Sequence, residues 1–228
     1  MFFSFFGEYM IIIEGNIGAG KSTFLQLLKN HIENVSIVKE PVIDWQQRIY
    51  GQSLLTNFYE NPKRWAYTFE TMTFLSRVFD QMRRPIHSLS FAERSIYSGF
   101  YCFAQNSFEQ HFLNPLEFEL YKEWFYLFGL NKSILPQAFI YIQVDPEICY
   151  QRVKKRKRNA EKNISLSYLR QIHKKHEQFL IKQDSIDEEL KSIPILILKA
   201  DDEFEYDKSI FQKHLKRVRS FIETLNNK

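Results

Sequence analysis

Long apolar runs are absent from this sequence, which nowhere approaches the roughly 20 consecutive apolar residues of a membrane-spanning helix. The apolar first six residues lack the basic segment and the small-residue cleavage site of a signal peptide. Cysteine is scarce too, because Cys102 and Cys149 make neither a disulfide framework nor a metal-ligand spacing. We therefore expect a cytoplasmic protein with two buried thiols and no membrane partner.

Glycine is also rare, and three of the seven glycines lie in one short motif. The segment 15–22 satisfies G-x-x-x-x-G-K-[ST], the P-loop that cradles phosphates, and it falls between a predicted strand and a predicted helix. Its lysine would neutralise the phosphates and its serine would ligate Mg²⁺. The predicted nucleotide-binding residues are Gly15, Asn16, Ile17, Gly18, Ala19, Gly20, Lys21, Ser22 and Thr23.

Strand-like and helix-like segments alternate along the chain. Proline at the first helical position predicts the start of a long helix at Pro62, with Trp65, Phe69, Met72, Leu75 and Phe79 along one stripe. Alternation of this kind indicates an α/β fold with a parallel sheet of about five strands and helices on both faces. Since no linker or repeat interrupts the 228 residues, we expect one domain. The predicted strands are 9–14, 35–39, 88–92, 138–144 and 193–198, and the other predicted helices are 22–32, a stretch through 112, 116–128, a helix from 146 into 154–158, 166–181 and 208–225.

A net charge of +4 and a pI of about 8.9 fit a nucleic-acid partner or a polyphosphate ligand. The basic run 154–158 allows three interpretations: a nuclear localisation signal, a nucleic-acid contact, or a lid over a triphosphate. Glu161, three residues after this run, fits a lid better than a contact with DNA.

A carboxylate follows the second predicted strand, at Glu40-Pro41-Val42. Ligands of open α/β sheets bind beyond the carboxyl ends of the strands, so Glu40 is expected to share a crevice with the P-loop. There it could act as a general base on a hydroxyl group. Alone, Glu40 could equally be a solvated residue before a turn.

Several further motifs occur together with these. GNIGAGKST, EPV with Trp45, NPKRWAYTFE, ERSIYSGFYCF and RVKKRKRNAE follow one another from the P-loop to the lid segment at about 152–164. In this combination the chain resembles the deoxynucleoside kinase family from the P-loop to the C-terminal helix. The resemblance implies a P-loop kinase that transfers phosphate from ATP, with Mg²⁺, to the 5′-hydroxyl of a deoxynucleoside.

The resemblance also implies roles for individual residues. Glu40 would be the base, with Arg94 beside it, and Glu93 would join Ser22 in holding Mg²⁺. Arg156 and Arg158 would close over the transferring phosphate, as Lys21 would from the P-loop. Tyr59 and Glu161 would contact the sugar 3′-hydroxyl, and Trp45, Phe69 and Phe103 would contact the base. The adenine of ATP would be contacted by Arg152 and by a loop at about 200–207 that contains Asp201, Glu203 and Phe204.

The base-reading positions depart from the family pattern. Glu70 stands where the family usually has glutamine, and an ionised carboxylate accepts hydrogen bonds but cannot donate them. Arg77 lies two turns further along the helix, and Gly99 stands where a partner aspartate is expected. Small residues at Gly99 and Thr73 would leave room for a larger base. We expect a preference for purines or amino-bearing bases, with thymidine disfavoured, unless Glu70 merely pairs with Arg77.

Other functions share the P-loop and the fold. A nucleoside monophosphate kinase would have to place a substrate phosphate near Glu40, which would repel it, and a nucleotide-switched nucleic-acid-binding protein would use the basic segment as its contact. The family resemblance also implies a homodimer, for which the aromatic stretch 100–128 would supply an interface, although a large core explains these aromatic residues equally well. We expect no nucleic-acid partner.

Overall fold

A five-stranded parallel sheet forms the centre of the computed structural model, which describes residues 9–42, 45, 48–49, 52–82, 89–129 and 135–226. In space the strands are ordered β2-β5-β1-β6-β7, and a separate antiparallel pair, β3 and β4, follows β2 in the chain. This confirms the predicted α/β class. The strands are β1 (Tyr9–Glu14), β2 (Val35–Val38), β3 (Arg48–Ile49), β4 (Gln52–Ser53), β5 (Leu89–Glu93), β6 (Ala138–Gln143) and β7 (Ile195–Lys199).

Helices connect the parallel strands and pack around the sheet. The α-helices are α1 (Lys21–His31), α2 (Leu54–Glu60), α3 (Pro62–Met82), α4 (Ile96–Ser98), α5 (Gln105–Glu109), α6 (Pro115–Gly129), α7 (Pro146–Arg156), α8 (Leu166–Glu177), α9 (Glu188–Lys191) and α10 (Lys208–Asn226). Gly99–Ala104 and Gln178–Lys182 are π-helical, and Asn159–Glu161 is a 3₁₀ turn. Among the described residues, no helix combines the length and apolarity required to cross a bilayer.

The core lies on both faces of the sheet. Ile11, Ile12 and Ile13 of the central strand are fully buried, and their side chains alternate between the two faces. A run of consecutive β-branched residues suits a strand that is covered by helices on both sides. Cys102 and Cys149 are buried free thiols, as expected.

Three predicted boundaries differ from the structure by more than one residue. The stretch through Phe112 leaves α-helical geometry at Gly99 and ends at Glu109. The predicted helix 166–181 is α-helical only as far as Glu177. The last strand begins at Ile195 because the amide of Ile193 is already bonded to the carbonyl of Leu190.

The helix predicted from Pro62 is confirmed as α3, but its apolar stripe is buried only in part, at Phe69. Met72 is 49% exposed and Phe79 is 64% exposed. The buried side of the helix instead carries Glu70, Thr73 and Arg77 among its apolar residues. Because these polar side chains turn toward a cleft in the protein, hydrophobic spacing alone could not identify the inward face.

Candidate active site

The P-loop connects β1 to α1 in a conformation that requires glycine. Gly18 and Gly20 have left-handed backbone angles, with φ of 84° and 93°. A Cβ atom at Gly18 would lie 2.5 Å from the carbonyl oxygen of Cys149, and one at Gly20 would lie 2.8 Å from the ring of Phe204. The loop therefore passes close to both α7 and the segment after β7.

The rest of the P-loop is fixed by its own side chains. Asn16 donates from Nδ2 to the carbonyl of Leu169 in α8 (2.9 Å) and accepts from the amide of Ile17 (2.8 Å). Lys21 donates from Nζ to the carbonyl oxygens of Gly15 (3.1 Å) and Asn16 (2.8 Å). Burial, helped by the charge of Arg94, lowers the pKa of Lys21 to about 8.

The two predicted Mg²⁺ ligands are in contact. Ser22 is the second residue of α1, Glu93 ends β5, and the hydroxyl oxygen of Ser22 lies 2.9 Å from each carboxylate oxygen of Glu93. Mg²⁺ is usually held by one or two carboxylates together with substrate phosphates and water. The described residues contain no group of three or more His, Cys, Asp or Glu side chains arranged to hold a metal, so a site here would depend on the nucleotide's phosphates.

Glu40, just beyond β2, has both carboxylate oxygens in ion pairs. Its Oε1 is 2.6 Å from Nη2 of Arg77, and its Oε2 is 3.2 Å from Nε of Arg94. Burial alone would raise the pKa of Glu40, but the charges of Arg94, Arg77 and Lys21 outweigh it and lower the pKa below its ordinary value. Glu40 is therefore a carboxylate at neutral pH.

Arg94 adopts a backbone conformation unusual for its side chain. Its φ is 65°, a left-handed value that costs a non-glycine residue about 1–3 kcal/mol and is enriched at functional sites. Its amide donates to the carbonyl of Ile13 (3.0 Å), and its guanidinium lies 4.6 Å from the ring centre of Phe103. The turn after β5 thus places the arginine between Phe103 and Glu40.

A first cleft of about 670 Å³ collects nearly all the predicted substrate residues. Gly99 does not line it: a Cβ at that position would lie 2.9 Å from Nη1 of Arg77, so the missing side chain makes room for the arginine and not for a base. This corrects the role expected for Gly99. The predicted residues that do line the cleft are Glu40, Trp45, Tyr59, Phe69, Glu70, Thr73, Arg77, Arg94, Phe103 and Glu161.

Sequence reasoning missed part of this wall. Phe58 stacks on Phe69 with ring centres 4.7 Å apart, and Trp45 meets Phe69 edge-on at 5.8 Å. Tyr168 meets the ring of Tyr59 edge-on at 6.4 Å and also lines the cleft. Phe58 precedes Tyr59 in α2, a helix that could have been located from its cap at Ser53, which accepts from the amide of Thr56.

Glu70 is buried at the end of this cleft, and its partner was not predicted. Ser107 donates its hydroxyl hydrogen to Oε1 of Glu70 (3.0 Å), whereas Arg77 bonds to Glu40 rather than to Glu70. Burial raises the pKa of Glu70 to about 7, although the hydrogen bond from Ser107 and the charge of Arg77 oppose the rise. Glu70 is thus a group that titrates near neutral pH.

The basic segment after α7 folds onto Glu161. Arg158 donates to Oε1 of Glu161 (2.8 Å), and Arg156 donates from Nε and Nη2 to Oε2, the first at 2.7 Å. Glu161 is buried, and its negative charge adds to burial in raising the pKa of Tyr59. The arginines of the predicted lid and the predicted sugar-binding pair therefore lie together in one cluster.

A second cleft of about 1150 Å³ lies on the other side of the P-loop. Arg152, Glu203 and Phe204 line it, together with Thr23. The guanidinium of Arg152 also donates to the carbonyl oxygens of residues 200, 201 and 202, the shortest contact being 3.1 Å. The carboxylate of Asp201 does not face this cleft, because it accepts from the amide of Asp145 (2.8 Å).

The two clefts meet at one place. The residues that line both clefts are a glycine and a lysine of the P-loop, the two predicted Mg²⁺ ligands and two arginines of the predicted lid. They are Gly18, Lys21, Ser22, Glu93, Arg156 and Arg158. A phosphate group at this junction would be in reach of molecules bound on both sides.

Comparison with known proteins shows the family of this chain. The family model described as deoxynucleoside kinase matches residues 11–223. The chain belongs to the deoxynucleoside kinase family. The kinase is 37% identical to deoxycytidine kinase 2 of Gallus gallus, over 93% of this chain and 89% of that one. It is 34% identical to the mitochondrial deoxyguanosine kinase of Xenopus laevis (92% and 88% covered) and 32% identical to the mitochondrial thymidine kinase 2 of Homo sapiens (92% and 77% covered). It is an ATP-dependent kinase that phosphorylates deoxynucleosides.

Proposed function

We propose that this kinase binds a deoxynucleoside in the first cleft and ATP in the second, and that Glu40 accepts the proton of the 5′-hydroxyl. The observation that carries this proposal is the shared lining of the two clefts, where a γ-phosphate would lie between donor and acceptor. Phosphoryl transfer depends mainly on positioning and on stabilising the charge that spreads over the phosphate oxygens. Lys21 provides a cation at this junction, and Arg156 and Arg158 provide two more.

Mg²⁺ belongs to this proposal as the ion held by Ser22 and Glu93. It would neutralise charge on the β- and γ-phosphates. The contact of 2.9 Å between the two side chains supports a shared site, since both oxygens already converge on one point.

The acceptor is proposed to be an uncharged sugar hydroxyl, not a phosphate. Glu40 is an ionised, buried carboxylate, which attracts a hydroxyl hydrogen and repels a monophosphate. The test is transfer of labelled γ-phosphate to each deoxynucleoside and each deoxynucleoside monophosphate, with the position of the label determined by NMR. Label on the 5′-oxygen of deoxynucleosides alone supports the proposal, and transfer only to monophosphates would refute it.

For the base we propose a preference for guanine, cytosine or adenine over thymine. Ionised Glu70 can only accept hydrogen bonds, which suits the adjacent N1–H and N2–H₂ donors of guanine and opposes O4 of thymine. Thr73, also in the cleft wall, adds little bulk beside it. Relatives of this kinase are named for deoxycytidine, deoxyguanosine and thymidine, so the base has to be decided by the residues of this chain.

A homodimer is proposed from exposed apolar side chains on two neighbouring helices. Helices α3 and α6 pack together through Phe74 and Tyr121, whose ring centres are 5.6 Å apart. Both helices also leave large apolar side chains exposed, a feature typical of an interface. These are Met72, Phe79 and Met82 on α3 and Leu116, Leu120, Trp124, Tyr126 and Leu127 on α6, together called the α3–α6 patch.

The basic segment serves nucleotide phosphates in this proposal, with no nucleic acid as partner. Arg152, Lys155, Arg156 and Arg158 all line the second cleft. A salt-dependent shift of labelled DNA by the kinase would count against this part. The cytoplasmic location expected from the sequence stays a prediction that a fluorescent fusion can check.

A further inference from the structure

Arg77 lies in the first cleft between the residues proposed to read the base and the proposed general base, Glu40. Arg77 lies on the same buried side of α3 as Glu70 and Thr73, and all three line the cleft. Its Nη2 nevertheless donates to Oε1 of Glu40 at 2.6 Å. The guanidinium thus spans from the base-reading residues to the proposed general base.

Arg77 has unused hydrogen-bonding capacity. Its side chain is 7% exposed, and its Nε and Nη1 atoms are buried without a partner among the described residues. On that side lies Gly99, where an added Cβ would be 2.9 Å from Nη1 and 3.5 Å from the hydroxyl of Tyr121, which also lacks a described partner. Because glycine offers no carboxylate there, the described ion pair of Arg77 is the one with Glu40.

This pairing competes with the role proposed for Glu40. Arg77 occupies Oε1 and Arg94 occupies Oε2, so each carboxylate oxygen already accepts a charged hydrogen bond. A carboxylate held in this way is a weaker proton acceptor than one with a free oxygen. Arg94 reaches Glu40 from the turn after β5, whereas Arg77 reaches it from the side of α3 that also carries Glu70 and Thr73.

We propose that Arg77 is a positioning residue that couples recognition of the base to Glu40. A base that presents acceptor atoms to the guanidinium draws Arg77 away from Glu40, and Oε1 becomes free to accept the hydrogen of the 5′-hydroxyl. A base that presents its acceptors poorly leaves Arg77 on Glu40. This inference rests on the proposed function and deepens it, because base discrimination then acts on the rate of phosphoryl transfer and not on affinity alone.

The test compares single-turnover rate constants for the four natural deoxynucleosides at saturating ATP and nucleoside, which separates chemistry from binding and product release. In the unaltered kinase we expect the fastest and slowest substrates to differ about tenfold or more in this rate, the effect of one hydrogen bond to a charged group. In Arg77→Met the rates should converge to within about threefold, while KM rises for the formerly preferred base.

Gly99→Asp provides a second variant that keeps Arg77. The new carboxylate would face Nη1 and hold the guanidinium away from Glu40, so the rates should converge here as well. Gly99→Asn is the matched control of similar volume without the charge, and it should retain most of the spread between substrates. A structural role for Arg77 would slow all four substrates by one common factor and preserve the spread, which would overturn the proposal.

A structure of the complex with the fastest deoxynucleoside decides the matter if the variants fold poorly. The proposal expects the separation of Nη2 of Arg77 and Oε1 of Glu40 to lengthen beyond hydrogen-bonding distance. A contact retained at its present 2.6 Å would overturn it. Failure of the proposed function is distinguishable, since it would show as an absence of deoxynucleoside phosphorylation or as near-normal turnover by Glu40→Gln.

Discussion

Ser107 donates a hydrogen bond of 3.0 Å to Glu70 at the buried end of the first cleft. Glu70 therefore has a fixed orientation, with one carboxylate oxygen bonded to the protein. Burial also raises the pKa of Glu70 to about 7. The residue is protonated and able to donate below that pH, much as glutamine would be, and it is an acceptor only above it.

The first prediction is a pH-dependent choice of base. The ratio of kcat/KM for thymidine to that for deoxyguanosine should fall as the pH rises from about 6 to about 8, because ionised Glu70 no longer offers a hydrogen to O4 of thymine. In Glu70→Gln the ratio should be independent of pH and shifted toward thymidine by about tenfold. A ratio with the same pH dependence in both proteins would contradict the assignment of Glu70.

The same carboxyl group predicts a change in stability with pH. Its pKa is raised from 4.5 to about 7 on folding, so the stabilisation is complete below pH 4.5 and is lost as the pH rises through 7. Between about pH 5 and 8 the kinase should lose about 3 kcal/mol more unfolding free energy than Glu70→Gln does. Urea unfolding of the two proteins measures this difference, and parallel pH curves would refute it.

Removing the proposed base should abolish turnover without affecting the nucleotide. Glu40→Gln keeps the shape of the side chain but cannot accept the 5′-hydroxyl proton, so kcat should fall by about 10²–10⁴-fold. ATP affinity, measured by calorimetry, should stay within about threefold, since Glu40 lines only the first cleft. Near-normal kcat would show that another group is the base.

The sugar assignment is tested with dideoxynucleosides. Tyr59→Phe removes a hydroxyl beside Glu161, and it should reduce the preference for a 2′-deoxy over a 2′,3′-dideoxy substrate by up to about tenfold. Tyr150→Phe is the matched control, because Tyr150 lines neither cleft. A preference unchanged in Tyr59→Phe would place the 3′-hydroxyl elsewhere.

The α3–α6 patch predicts the oligomeric state. Light scattering should give a mass of twice the 27.5 kDa of one chain. In Leu120→Glu the mass should fall to that of a single chain. Ile181→Glu, also a partly exposed apolar position but outside α3 and α6, should leave the dimer intact. A monomeric mass for the unaltered kinase would show that the α3–α6 patch is not a dimer interface.

Much of this site could be predicted from the sequence because its parts lie at the ends of predictable strands. The P-loop after β1, Glu40 after β2 and Arg94 after β5 each follow a recognisable apolar segment, and parallel strands bring such ends to one edge. The partners of these residues could not be predicted. The pairing of Arg77 with Glu40 and the bond from Ser107 to Glu70 both join residues 37 positions apart through packing of α3, which no local pattern encodes.

Helix α3 also shows where sequence patterns alone do not predict the structure. Its apolar residues form one stripe, of which Phe69 is buried and Met72 and Phe79 are exposed. The polar side chains of Glu70, Thr73 and Arg77 take inward positions instead. Similarly, Gly99 suggested space for a base, whereas the space is used by the guanidinium of Arg77. In both cases a polar side chain occupies space for which the sequence pattern indicated something else.

The most direct test of the whole account is kcat/KM for deoxyguanosine, deoxycytidine, deoxyadenosine and thymidine at about pH 8, with the products identified as 5′-monophosphates. We predict that deoxyguanosine or another amino-bearing substrate is best and that thymidine is the poorest of the four. Thymidine as the best substrate would contradict the account.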